Sequence, residues 1–116
     1  MDEDAIEYGG FEEFDPDVKH MCRLIDFRDG STVVRSLGED IIAFSFKGLT
    51  GVQFENKMKS RALVIALRGD AEITNGIGRN SHLLGEGQTL FVPANEMLTV
   101  WPMGIFKMLL IMLGEE

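Results

Sequence analysis

The 116-residue chain predicts an all-β fold of sandwich or barrel type. Short β-branched or aromatic runs recur from residue 31 onward at turn intervals of about 8–12 residues, the spacing of such folds. Thirteen glycines punctuate them. No stretch beyond residue 30 sustains the period of about 3.6 residues that a helix needs.

Each element follows from its own residues. Ser31 to Leu37 is the first run, set between Asp29-Gly30 and Gly38-Glu39-Asp40. Ile41 to Phe46 is the second and closes at Lys47-Gly48. Residues 48–60 are more polar and read as a loop with an irregular strand. Ala62 to Leu67 is a continuous apolar run, as a strand covered on both faces would be, and Arg68-Gly69 ends it. Ala71 to Thr74 is short and meets Asn75-Gly76, the strongest short hairpin signal. His82 to Leu84, Thr89 to Val92, Leu98 to Trp101 and Ile105 to Leu113 follow, separated by Gly85-Glu86-Gly87, Pro93 and Pro102. The expected total is about eight or nine strands. Residues 16–28 are ambiguous: Pro16 suits the start of a short helix, whereas Cys22 to Phe27 suits a lead-in strand.

Composition narrows the class. A mass of 12.9 kDa is one domain, and a chain this long buries roughly two thirds of its unfolded surface without disulfides or metal. The single cysteine, Cys22, excludes an intrachain disulfide and a cysteine-built zinc site. No apolar run approaches the ~18 residues of a membrane span. No basic, apolar leader opens the chain, so the expected compartment is the cytoplasm.

Charge divides the chain in two. Residues 1–17 hold eight acids and no Lys or Arg, and the remainder is neutral, so the arm carries the whole net charge of −8. That charge repels phosphate backbones and anionic lipid, so neither nucleic acid nor a membrane is an expected partner. The expected organisation is an acidic N-terminal arm and lead-in segment over 1–30 and a β-barrel domain over 31–116. The arm reads as a solvated, solubilising terminus. Tyr8, Phe11 and Phe14 would also let it dock on its own domain or on a second subunit.

Two segments carry a family resemblance. Gly87-Gln-Thr-Leu-Phe-Val-Pro93 leads into Ala94-Asn95, and Ala62-Leu-Val-Ile-Ala-Leu-Arg-Gly69 leads into Asp70-Ala-Glu-Ile-Thr74. Together they resemble the two conserved motifs of the cupin superfamily, with the short spacing of small single-domain cupins. Phe106 to Met112 is similar to the last strand of those proteins. The resemblance spans roughly residues 31–113 and implies a double-stranded β-helix, or jelly-roll barrel, enclosing a cavity.

The departures from the pattern are informative. Set on Gly69, the first motif places its glutamate at Ala62 and its two histidines at Asn56 and Met58. Its opening glycine falls at Thr50, beside Gly51. In the second motif Gly87 and Pro93 match, while Asn95, Leu98 and Pro102 stand where glycine, histidine and asparagine are usual. The four ligand positions implied by the resemblance are therefore Asn56, Met58, Ala62 and Leu98, and none offers an imidazole or carboxylate. A hard or borderline divalent ion needs several such groups, so no metal and no cofactor is expected. These four are expected to line the cavity, with Phe44, Phe46, Phe91 and Trp101 in its wall.

Other chemistry has little support. His20-Met21-Cys22 supplies two donors, short of a metal site, and His82 lies away from the motif positions. Met58 and Met97 offer thioethers of the kind that select Cu(I), but methionines in an apolar barrel serve chiefly as core filler. No Cys–His nucleophile motif includes Cys22. Glu55 and Glu72 read as solvated strand charges. Gly76-Ile77-Gly78 is a hairpin turn, because neither a helix nor a lysine follows as in a phosphate loop. The expected function is non-enzymatic: binding of a small, largely apolar ligand, or a structural or interaction role. A filled cavity would leave only the surface for function. The alternative is a metal-independent sugar isomerase or epimerase, which would need an acid and a base aimed into the cavity. The resemblance, and the long apolar runs at 62–67 and 105–113, imply a homodimer.

Overall fold

The computed structural model describes residues 23–76 and 80–114. The predicted all-β architecture is present as seven strands in wholly antiparallel pairing. They are β1 (Ser31–Ser36), β2 (Ile41–Lys47), β3 (Phe54–Lys57), β4 (Arg61–Asn75), β5 (Asn80–Leu84), β6 (Thr89–Val92) and β7 (Met97–Gly114). Tyr8, Phe11, Phe14, His20 and Cys22 lie outside the described residues.

Two long strands account for the lower count. The runs expected as separate strands at 62–67 and 71–74 are one 15-residue strand, β4. Those at 98–101 and 105–113 are one 18-residue strand, β7. Gly69 and Pro102 bend these strands without ending them, because β4 and β7 stay paired with each other on both sides of the bend. Their register shifts between Ala66 and Arg68 and again between Gly69 and Ala71, and such bulges turn a strand through a corner.

The corner creates two layers. Before it, β4 pairs with β6 and with the C-terminal half of β7, which in turn pairs with β2 and so reaches β1. Beyond it, β4 pairs with β5 and with the N-terminal half of β7, which pairs with β3. The layers close on each other through side chains: Phe44 of β2 meets Phe54 of β3 edge-on, ring centres 4.8 Å apart.

Alternation along the strands fills the space between. In β4, Ala62, Val64 and Ala66 point inward before the corner, and Ala71 and Ile73 after it. They join Phe46, Leu84, Val92, Val100, Phe106 and Met108 in one continuous core. A second, smaller cluster lies on the outer face of the first layer, where Ile25 covers Ala43 and Leu109. The lead-in segment is strapped there by Arg35, whose Nη1 donates to the Leu24 carbonyl at 2.9 Å. Ser45 Oγ donates to the Asp26 carbonyl at 2.7 Å, and the Lys107 ammonium lies 4.6 Å from the centre of the Phe27 ring. Between Leu24 and Arg28 the chain is thus neither helix nor strand: it bends at Leu24 and Ile25 and runs on irregularly as a cover.

Gly69 is the residue the corner requires. Its φ of +78° is a region L side chains rarely adopt, and a Cβ there would run into the Ile105 carbonyl oxygen across the bend. Gly87 has a similar φ of +84° but open space around it. Gly87→Ala should therefore cost only the backbone term, about 1–2 kcal/mol. Gly69→Ala adds a backbone collision and should cost about 3 kcal/mol or more. Chemical denaturation of the two variants checks this; equal losses would mean that the corner tolerates a side chain.

Candidate functional site

The four positions that the sequence resemblance aligns with the family's ligands are placed by β3, the β3–β4 turn, the start of β4 and the start of β7. Asn56 stands directly opposite Leu98 in the β3–β7 ladder. Met58 follows β3; its N–H donates to the Glu96 carbonyl at 2.9 Å, and its carbonyl accepts from Asn95 N–H at 2.7 Å. Ala62 opposes Val92 on one side and Met112 on the other. Met58, Ala62 and Leu98 are 4%, 0% and 0% exposed and belong to the continuous core. Asn56 does not join them: it is exposed on β3, which among the described residues pairs with β7 alone.

The donor set fails for a divalent ion. An amide, a thioether, a methyl and an isobutyl group offer no imidazole or carboxylate, and three of the four are packed in hydrocarbon. Among the described residues no three His, Cys, Asp or Glu side chains lie close enough to hold a metal ion.

The expected aromatic wall divides by strand parity. Phe44 and Phe46 are core residues, stacked at 6.2 Å. Phe91 and Trp101 are on the outside, 48% and 45% exposed. Phe91 opposes Leu63, and Trp101 opposes the exposed Glu72, so each shares the outward row of its partner. Aromatic character alone did not reveal this; the pairing register did.

Register also assembles a polar group at the open end of the barrel that the sequence reading passed over. The β4–β5 hairpin sets His82 opposite Ile73, on the inward face. Asn75, buried beside the turn, lies with Oδ1 3.1 Å from His82 Nε2, so the Nε2–H tautomer donates to it. The Asn75 amide donates in turn to Glu96 Oε1 at 2.8 Å. The Asn75-Gly76 signal announced a turn; that its side chain would tie a histidine to a glutamate depended on the strand it ends.

On the outer face of the same strands runs an open groove of about 400 Å³, with Glu55, Lys57, Thr74, Met97 and Thr99 among its lining residues. Thr99 opposes both Glu55 and Thr74, and its hydroxyl reaches Glu55 Oε2 at 3.4 Å. Glu72, one row away, accepts a 2.6 Å bond from Ser81 Oγ. Both acids are exposed, as strand charges in solvent are expected to be.

No protein-family model matches the sequence, and no curated protein does. The fold, by contrast, has solved relatives. A cupin superfamily protein from Desulfitobacterium hafniense is similar over 81% of this chain and 87% of its own, at 26% identity and a TM-score of 0.72. A conserved protein of unknown function from Streptococcus pyogenes matches over 74% of this chain and 75% of its own, at 26% identity and a TM-score of 0.60. A cupin 2 conserved barrel domain protein from Leptotrichia buccalis matches over 81% of this chain and 46% of its own, at 22% identity and a TM-score of 0.72. With two layers, long corner-turning strands and these neighbours, the chain is a small cupin-fold protein.

Proposed function

We propose that this protein is a metal-free cupin that acts through its surface, as a binding or structural module, and not as a metal-dependent enzyme. One observation carries this reading: Met58, Ala62 and Leu98, at three of the four ligand positions, are core residues packed with Val64, Ile73 and Val100. A functional group introduced there would be buried without partners, which proteins avoid. A small apolar ligand in the interior would have to displace these side chains, so the packing favours an interaction role over an interior binding site. The fold itself does not choose, since one architecture serves many chemistries.

The His82–Asn75–Glu96 chain supports one second reading, a metal-independent acid–base enzyme of the isomerase or epimerase kind. It offers an imidazole on the inward side of the barrel, held by a buried amide. The reading needs a second acid–base group beside the imidazole, and Glu96, the nearest in the chain of bonds, is engaged by Asn75. If His82 only orders the barrel's open end, His82→Ala should lower stability by about 1 kcal/mol, the net worth of one hydrogen bond. Loss of a sugar-isomerising activity in that variant, with the wild type active, would establish the second reading instead.

Two measurements address the interior. Elemental analysis of untagged protein should find less than about a tenth of an equivalent of transition metal, since the donor set does not meet what such ions need. A near-stoichiometric metal content removed by Asn56→Ala or Met58→Ala would overturn the proposal. Leu98→Ala should cost about 2–5 kcal/mol in denaturant unfolding, as for a leucine cut from a tight core. A loss below about 1 kcal/mol would show that Leu98 borders open space.

A further inference from the structure

Asn75-Gly76 is the one Asn-Gly pair in the chain, and it carries a chemistry besides turn formation. An asparagine side chain can be attacked by the backbone nitrogen of the next residue, and a glycine there has no Cβ to crowd the approach. The Gly76 nitrogen bonds to Asn75 Cγ and gives up its proton. The Cγ–Nδ2 bond breaks, and ammonia leaves with that proton. Water then opens the five-membered imide at either carbonyl, and the residue becomes aspartate or isoaspartate.

The fold holds the atoms of that step apart. Asn75 is the last residue of β4, paired with Asn80 on one side and Leu98 on the other, so its backbone is extended. Ring closure needs the peptide rotated until the Gly76 nitrogen meets Cγ, which a paired strand does not permit. The nucleophile is occupied: Gly76 N–H donates to the Met97 carbonyl at 3.2 Å, which opposes loss of its proton. The electrophile is tied at both ends. Nδ2 of Asn75 donates to Glu96 Oε1 at 2.8 Å, and Oδ1 accepts from His82 Nε2 at 3.1 Å. Glu96 is fixed in turn, because its carbonyl accepts from Met58 N–H. None of these partners lies in the N-terminal arm.

Imide formation therefore waits on local opening of the hairpin end, which releases these holds together. The product cannot return to the same arrangement. A carboxylate at position 75 has no N–H to give Glu96, and two like charges would meet where Asn75 is now buried. Isoaspartate also adds a backbone carbon before Gly76 and displaces its bond to Met97.

We propose that Asn75 is a modification site: a deamidation site kept latent by His82, Glu96 and the Met97 carbonyl, whose conversion irreversibly unlocks the β4–β5 hairpin end. The inference stands on the hairpin bonds and does not depend on the metal-free reading. The test incubates the full-length protein at mildly alkaline pH, folded and, separately, unfolded in urea. Peptide mapping by mass spectrometry and isoaspartate labelling follow conversion at each asparagine. Asn75 should convert in the unfolded chain and at least about tenfold more slowly in the folded one. His82→Ala and Glu96→Ala should each accelerate conversion in the folded protein about two- to tenfold, the factor that one net hydrogen bond is worth. Glu96→Gln keeps an acceptor for the Asn75 amide and should stay near the wild-type rate. Ile25→Ala weakens the cluster on the outer face of the first layer, away from the hairpin, and should also leave the rate near wild type. Asn75→Asp, which is one of the products, should melt below wild type, and Asn75→Asp with Glu96→Gln should recover part of that loss. Folded protein that converts at Asn75 as fast as unfolded chain would overturn the proposal. So would an unchanged or slower rate in His82→Ala or Glu96→Ala, an Ile25→Ala rate that matches theirs, or an Asn75→Asp protein as stable as wild type.

Discussion

The pairing of β4 with β7 is the constraint on which the rest of this structure depends. These two strands remain hydrogen-bonded from the Arg61–Gly114 end, round a corner, to the Asn75–Leu98 end. Every other strand attaches to one of them, directly or through β2. Two shorter strands in place of each would need connections to hold the layers together. A continuous bent pair holds them covalently and leaves the ladder nearly intact. The bend is possible because Gly69 supplies a positive φ and no side chain where the Ile105 carbonyl approaches. Contacts between residues distant in sequence dominate such a barrel, so this pairing must form against a considerable loop-closure entropy before it is stabilised.

Strand alternation then assigns each side chain to a medium. Among the described residues the inward rows are almost wholly hydrocarbon, and three of the four positions that the sequence resemblance aligns with metal ligands, Met58, Ala62 and Leu98, lie in them. Met58, Ala62 and Leu98 offer only a thioether and hydrocarbon to that interior, where an isolated polar group would be costly. At the β4–β5 hairpin end a polar group breaks that row, where Asn75 bonds both His82 and Glu96 in one chain.

The two outer faces differ in cover. On the first layer, Leu24, Ile25 and Phe27 lie across the sheet, and their backbone is held by Arg35 and Ser45. On the second, Leu83 and Trp101 stand exposed beside the polar groove of Thr99 and Glu55. The first layer also leaves Phe91 exposed on its outward row, so apolar side chains reach the surface on both faces.

The all-β class and the hairpin turn at Asn75-Gly76 were legible in the sequence, because they rest on local facts. Alternation marks a strand, Asn75-Gly76 marks a hairpin, and a run such as Ala62 to Leu67 marks a strand covered on both faces. The absence of ligand chemistry at Asn56, Met58, Ala62 and Leu98 was also legible, since residue type alone decides it. What the sequence left open were matters of register. Gly69 and Pro102 carry the same signals whether a strand ends or bends, and only the β4–β7 ladder decides between these. Phe91 and Trp101 have the same aromatic character as Phe44 and Phe46, yet a shift of one residue in pairing exchanges inside for outside. The union of His82, Asn75 and Glu96 likewise required the hairpin to be registered before any of the three had a neighbour. Local sequence determines which element a residue joins, whereas the direction its side chain faces and what it meets depend on strands distant in the chain, and tertiary pairing decides them.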